Sequence, residues 1–108
     1  MLSVYGVCII PEDNEVKAYK SGSGVSLYFR VVSPDKFSKE RVHEYKVNLW
    51  IPQQDVDDWK EKIQPGSVFF IENGEWLMRT DQRGYSRPLL KIFHSKFRKF
   101  SANRSLDE

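Results

Sequence analysis

The sequence predicts an all-β domain, a five-stranded barrel with one short helix between its third and fourth strands. Short segments rich in Val, Ile and aromatic residues alternate with turns that contain Gly, Pro and Asn. Only one segment shows helical spacing, which disfavours a parallel α/β fold. With 108 residues, 40% hydrophobic and 30% charged, the chain has room for one hydrophobic core. We therefore expect one barrel domain over residues 1–100 and a short polar tail over 101–108.

The first two strands come before the most polar part of the chain. Residues 2–10 are rich in Val, Ile and Tyr and predict a strand, which a Pro-Glu-Asp-Asn turn ends. A short arm at 15–19 leads into a Ser-Gly-Ser-Gly turn. Residues 25–33 then alternate with a period of two, so that one side forms a core face: Val25, Leu27, Phe29 and Val31. Residues 34–41 are a predicted polar loop that holds one aromatic residue, Phe37.

The third strand, predicted over residues 43–51, shows the clearest alternation. Its apolar face comprises Tyr45, Val47, Leu49 and Ile51. The opposite face comprises Glu44, Lys46, Asn48 and Trp50. Trp50 is therefore a large aromatic side chain on an otherwise polar strand face. Such a position indicates contact with a ligand or with a partner protein.

The helix and the last two strands follow. Pro52 opens a helix over 53–62, whose apolar stripe is Val56, Trp59 and Ile63. Residues 68–79 are a strand in which Asn-Gly predicts a bulge, 80–84 are a hairpin tip, and 88–94 are the last strand. Three strands, a helix and two strands in a small barrel are the arrangement of the OB fold.

Basic charge is concentrated near the carboxyl end. Residues 1–78 hold 9 basic and 12 acidic side chains, whereas residues 79–104 hold 8 basic side chains and one acidic side chain. Such asymmetry indicates an anionic partner. The alternative is an ordinary solvated surface rich in Lys and Arg.

Several stretches, in this order, resemble the bacterial and phage single-stranded DNA-binding protein family. They are Val-Tyr-Gly-Val at 4–7, Gly-Val-Ser-Leu-Tyr-Phe-Arg-Val-Val at 24–32, His-Glu-Tyr-Lys-Val-Asn-Leu-Trp at 43–50, Pro-Gly-Ser-Val-Phe-Phe-Ile-Glu at 65–72 and Thr-Asp-Gln-Arg-Gly at 80–84. The resemblance covers residues 2 to about 97. It implies an OB fold, sequence-tolerant binding of single strands and often a homotetramer. Bacterial members of the family usually carry a long tail that ends in acidic residues and a phenylalanine, and the last four residues here lack that phenylalanine. We therefore expect a phage, plasmid or otherwise divergent member. Whether a tail recruits replication proteins stays open.

Binding a single strand requires aromatic rings that stack on bases and cations that neutralise phosphates. The candidates combine both on the alternating strands, in the polar loop and around the hairpin. They are Tyr28, Arg30, Phe37, Lys46, Asn48, Trp50, Trp76, Arg79, Arg83, Tyr85 and Arg87.

Each aromatic candidate has a structural alternative. Trp50 can instead pack at a subunit interface, Tyr28 can be an ordinary surface tyrosine, and Phe37 can fold down over the barrel edge. The direction of Trp76 depends on how the bulge resets the strand. Trp59 is predicted to be in the core because of its place on the helical stripe.

Other classes of function find less support in the sequence. The Gly-Ser-Gly stretch lacks the Lys-Ser/Thr that completes a phosphate-binding P-loop. The aspartates at the start of the helix are expected to be solvated rather than to bind a metal ion. His43, His94 and Cys8 lack the spacing of zinc ligands or of a catalytic triad. We therefore expect neither catalysis nor a metal or cofactor. Three alternatives to a DNA-coating role stay open: a primosome-type accessory OB protein that acts mainly through protein contacts, an RNA-binding barrel of the cold-shock kind, and a hydrolase.

The remaining expectations concern partners and location. We expect single-stranded DNA as the partner and a homo-oligomer, a dimer or tetramer, for which the first-strand residues Tyr5, Val7 and Ile9 are candidate contacts. No apolar run is long enough to span a bilayer and no secretory signal is evident, and the single Cys8 suits a reducing compartment. These observations predict a protein of the bacterial cytosol, or of a phage-infected cell.

Overall fold

The computed structural model describes residues 3–35 and 38–100 and contains a closed barrel of five strands. The strands are β1 (Ser3–Ile9), β3 (Gly24–Asp35), β4 (Ser38–Pro52), β5 (Val68–Thr80) and β6 (Ser86–Phe93). Their order around the barrel is β1-β3-β4-β6-β5, and β5 pairs with β1 to close it. All of these pairs are antiparallel except β4–β6, which is parallel. The predicted OB fold is confirmed.

Two short strands extend this barrel. β2 (Lys17–Ser21), predicted as an arm at 15–19, pairs with β3 in a hairpin whose turn includes Gly22 at φ +61°. β7 (Phe97–Lys99) pairs antiparallel with β5. The predicted loop at 34–41 was wrong in its extent, because β3 and β4 continue as a paired hairpin as far as Asp35 and Ser38. Hydrogen bonds between backbone groups hold the two strands together here, and they do not depend on an alternation of polar and apolar residues. The polar sequence therefore gives no signal for this part of the hairpin.

The bulge predicted in the fourth barrel strand is present in β5. Ile71 pairs with Gly6 and Gly74 pairs with Val4, so β5 has one more residue than β1 in this interval. A Cβ at position 74 would lie 2.9 Å from the Leu90 side chain, so a larger residue at the kink would force Leu90 to shift.

The core lies where the period-two alternation places it. The predicted faces of β3 and β4 are buried: Val25, Leu27, Phe29, Val31, Val47, Leu49 and Ile51. One end of the core is a stack of aromatic rings. Phe69 and Phe97 lie parallel with ring centroids 4.2 Å apart, and Trp59 stacks on both at 6.5 and 6.2 Å. Each fully buried aromatic side chain contributes roughly 1.5–3 kcal/mol of transfer free energy.

The helix lies between β4 and β5, as predicted. A 3₁₀ turn at Gln53–Asp55 leads into α1 (Val56–Lys62), which buries Trp59 against the core. Ile63 donates its backbone N–H to the carbonyl of Trp59 at 2.9 Å and ends the helix. Among the residues described here, no helix is both long enough and apolar enough to cross a membrane.

The only cysteine in the sequence is part of this core. Cys8 is 2% exposed, and burial raises the pKa of its thiol to about 12. The side chain is therefore a neutral thiol at physiological pH, and its environment is that of a structural rather than a reactive cysteine.

Candidate nucleic-acid interface

The outer face of β3 and β4 brings together five of the candidate residues. In the antiparallel register Arg30 lies opposite Lys46, Tyr28 opposite Asn48, and Ser26 opposite Trp50. Because side chains of directly paired residues project from the same face, these candidates form one continuous surface. We call it the β3–β4 face.

A groove borders the β3–β4 face. It has a volume of about 350 Å³ and lies between this face, the start of β2 and the β5–β6 hairpin. Five basic and two acidic side chains contribute to its walls: Lys17, Arg30, Lys46, Arg79, Arg87, Glu15 and Asp81. The groove therefore has the excess of positive charge that a polyanion requires.

Tyr28 lies between the groove wall and β2. Its ring is 5.9 Å from the Arg79 guanidinium and meets the Tyr19 ring edge-on at 5.6 Å. Asn48 donates a hydrogen bond from Nδ2 to the Tyr28 hydroxyl at 3.2 Å. The Oδ1 of Asn48 is buried and has no hydrogen-bond partner among the residues that the structure describes. The tyrosine ring is thus held from three sides while it stays half-exposed.

Trp50 is fixed at the far end of the same face. Its Nε1 donates to the carbonyl oxygen of Ser21 at 3.3 Å, and its ring packs directly over Gly24, where any Cβ would overlap the indole. Phe93 meets the indole edge-on at 6.3 Å, and His94 lies 6.4 Å away. The indole is therefore half-buried and oriented before any ligand arrives, which lowers the entropic cost of stacking on it.

Phe93 and His94 are two neighbours of Trp50 that the sequence did not identify. They are brought there by the parallel pairing of β4 with β6, in which Trp50 is the register partner of Phe93. Phe93 is 59% exposed and therefore extends the aromatic surface beyond Trp50. Lys17 was missed as well, because the arm that carries it shows no alternation in the sequence.

The β5–β6 hairpin carries the candidate residues Arg79, Arg83, Tyr85 and Arg87, all of them exposed. Asp81 organises its tip by accepting hydrogen bonds at Oδ1 from the backbone N–H groups of Arg83 and Tyr85, at 2.9 and 3.0 Å. The hairpin predicted at 80–84 is therefore present. Arg79 and Arg87, which are paired in register, point to the groove, whereas Arg83 and Tyr85 lie at the tip.

Arg30 belongs to the β3–β4 face but is engaged by acidic groups. Its guanidinium contacts Glu44 at 2.7 Å and Asp13 at 2.9 Å, and it also donates to the backbone carbonyl of Asp13 at 2.9 Å. The hydrogen bond to Glu44 is the main cause of the raised pKa of Arg30. The backbone N–H of Arg30 donates to Asn14 Oδ1 at 2.9 Å, so this residue attaches the 10–16 loop to β3.

One aromatic candidate, Trp76, is not on this surface. Trp76 is half-buried, packs against the core and meets Tyr45 edge-on at 5.7 Å. It lines a smaller cavity of about 210 Å³ together with Lys46 and Arg87. Phe37 lies outside the described residues.

The comparisons with known proteins agree with this fold. No family model matches the chain, and no curated protein matches it in sequence. Among solved structures, a single-stranded DNA-binding protein of Plasmodium falciparum, determined in complex with single-stranded DNA, superposes with a TM-score of 0.63 at 11% identity over 93% of both chains. The small single-stranded DNA-binding protein of Streptomyces coelicolor superposes with a TM-score of 0.58 at 18% identity over 94% of this chain and 96% of that one. These likenesses show a shared barrel fold, so the resemblance found in the sequence holds at the level of architecture.

Proposed function

We propose that this protein binds single-stranded DNA without sequence preference, and that it coats and protects unwound strands during replication, recombination or repair. The observation that carries the proposal is the β3–β4 face, where Trp50 and Tyr28 lie on the same surface as Lys46 and beside Arg79 and Arg87. Rings of this kind accept any base, while the cations neutralise phosphates. The fold shared with a protein solved in complex with single-stranded DNA supports the same assignment.

In this mechanism the residues divide into three roles. Trp50 and Tyr28 are stacking platforms, with Phe93 as an extension of the first. Asn48 positions the Tyr28 ring through its hydroxyl. Phosphate contacts come from basic residues of the groove and hairpin: Lys17, Lys46, Arg79, Arg83 and Arg87, with Tyr85 at the hairpin tip as a further stacking side chain. The proposal includes no catalytic group, so the protein acts by binding alone.

The test is a fluorescence titration with unlabelled oligothymidine, with duplex DNA of equal length as the control. We expect quenching by the single strand and a weak response to duplex. A plot of the logarithm of the binding constant against the logarithm of the salt concentration should have a slope of about −3.5, since each of the five phosphate-contacting cations contributes roughly 0.7. Trp50→Ala is expected to weaken binding about 5- to 150-fold, which corresponds to roughly 1–3 kcal/mol for one stacked base. Trp76→Phe is the matched control and should bind as the parent protein does.

An unchanged fluorescence at low salt, together with the absence of binding by a second method such as calorimetry, would contradict the proposal. Binding that is lost in Trp76→Phe and retained in Trp50→Ala would place the interface around Trp76 instead of the β3–β4 face. Preferential binding of RNA of the same sequence would instead favour the RNA-binding alternative.

We also propose that the protein assembles into a homo-oligomer through the outer face of β1. Tyr5 and Val7 are 76% and 50% exposed there, and Val7 is the register partner of Phe70, which contacts the partly exposed Phe100. A contiguous exposed apolar surface of this kind is typical of a protein interface. Val7→Glu should lower the mass measured by light scattering, whereas the control Ser95→Glu should not. A parent protein that is monomeric at high concentration would contradict this assignment.

A further inference from the structure

The two ends of the β3–β4 face differ in charge. The Trp50 end is aromatic, whereas the Arg30 end meets the 10–16 loop and its carboxylates. We propose that Asp13 and Glu44 hold the Arg30 guanidinium away from nucleic acid and close this end of the face to the phosphate backbone. A bound strand then leaves the face at Lys46 and turns toward Arg79 and Arg87 of the hairpin. This inference rests on the proposed function and adds the boundary and direction of the binding path.

The geometry around Arg30 supports this assignment. Nη1 contacts Oε1 of Glu44 at 2.7 Å, while Nη2 contacts Oδ1 of Asp13 at 2.9 Å and the Asp13 carbonyl oxygen at 2.9 Å. Both terminal nitrogens of the guanidinium are thus engaged in hydrogen bonds with acceptors of the protein. The Arg30 side chain is only 28% exposed, so a phosphate has to compete with these acceptors for the guanidinium.

Among the side chains that the structure describes, the balance of charge at this end is also unfavourable for a phosphate. One guanidinium stands against two carboxylates, so the cluster of Arg30, Asp13 and Glu44 is net negative. Glu15 adds a third carboxylate on the adjoining groove wall. Lys46, by contrast, is exposed, lies directly opposite Arg30 in register and lines the groove with Arg79 and Arg87. The boundary between repulsion and attraction therefore falls between Arg30 and Lys46.

The experiment measures the salt dependence of oligothymidine binding in four proteins: the parent, Asp13→Asn/Glu44→Gln, the same pair combined with Arg30→Gln, and Arg30→Gln alone. Removal of the two carboxylates is expected to tighten binding and to steepen the slope by about 0.7, because Arg30 becomes available for one phosphate. Adding Arg30→Gln should return the slope to the parent value. Arg30→Gln alone should leave the slope unchanged, because the guanidinium contacts no phosphate in the parent.

Asp57→Asn/Glu61→Gln is the matched control, because it removes two exposed carboxylates from α1 and changes the net charge equally. It accounts for long-range electrostatic effects that do not involve Arg30. Thermal unfolding of every variant shows whether the barrel is intact.

Two results would overturn the proposal. One is a slope that flattens by about 0.7 in Arg30→Gln alone, which means that Arg30 already neutralises a phosphate. The other is an equal response of the Asp13/Glu44 and Asp57/Glu61 pairs. A parent protein that binds no single strand would refute the proposed function and this inference together. Because the parent is measured first, that result is separated from a failure of this inference alone.

Discussion

Truncation of Phe97 to alanine tests the contribution of β7 to the barrel. The side chain is 1% exposed, and its ring lies 4.2 Å from Phe69, 6.2 Å from Trp59 and 5.8 Å from Phe29, measured between ring centroids. Alanine removes the central ring of this stack and leaves a cavity that three rings on separate elements cannot close together. Such Phe→Ala changes cost about 3–5 kcal/mol, a large fraction of the roughly 5–15 kcal/mol by which a domain of this size is stable.

Urea unfolding followed by tryptophan fluorescence measures this loss, since Trp59 stacks on the ring that is removed. At roughly 4 °C or more per kcal/mol, the midpoint of thermal unfolding should fall by at least about 12 °C. Phe100→Ala is the matched control, because Phe100 lies three residues further along, is 47% exposed and contacts Phe70 on the outer surface. Its cost should be about 1–1.5 kcal/mol, because only about half of the side chain is buried. Equal costs for the two variants would refute the reasoning, because β7 would then contribute no more to the core than an exposed residue does.

Three further predictions concern Gly24, Tyr28 and Cys8. Gly24→Ala should destabilise the protein by about 1–3 kcal/mol in urea unfolding and weaken oligothymidine binding, because its Cβ overlaps both the Trp50 ring and the Ile51 carbonyl oxygen; unchanged stability would contradict the close packing. Tyr28→Leu should weaken single-strand binding more than Tyr28→Phe in the same titration, since only the ring stacks on a base; equal losses would assign the effect to the hydroxyl. Cys8 should resist thiol reagents at pH 8 until the protein unfolds. The pKa of its thiol in the folded protein, about 12, lies above the ordinary value of 9.0. The contribution of the neutral thiol to stability is therefore complete below pH 9 and is lost as the pH rises toward 12. If the urea midpoint of Cys8→Ala fell as steeply with pH as that of the parent protein, this assignment would be contradicted.

Much of the barrel could be predicted because its strands bury one face and expose the other. The alternation in residues 25–33 and 43–51 identified both the core face and the side chains of the β3–β4 face, including Tyr28 and Trp50. The helix was located by its single apolar stripe, and the bulge in β5 by Asn-Gly. These signals are local, so a single sequence contains them in full.

The remaining features depend on contacts between distant segments or on very short elements. Phe93 lies beside Trp50 only because β4 and β6 pair in parallel, and no local pattern specifies that pairing. Phe97 occupies the core from a strand of three residues, too short to show a period. The engagement of Arg30 by Asp13 depends on the path of the loop between β1 and β2. Sequence patterns identify which face of a strand is buried, but they do not identify which side chain a charged group will contact.

The pairing that closes the barrel has a consequence for how the chain acquires its structure. Ser3 pairs with Glu75 and Val47 pairs with Leu90, so the first strand and the middle of the chain each need a partner strand from the last third of the sequence. The β2–β3, β3–β4 and β5–β6 hairpins can form from local segments, whereas the β1–β5 and β4–β6 pairs cannot. Because loop closure has to precede such remote pairing, folding is expected on the slow, millisecond-to-second scale of barrels rich in non-local contacts. During synthesis on the ribosome, the hairpin that carries Tyr28 and Trp50 therefore emerges early, with its apolar side uncovered until β5 and β6 have followed it.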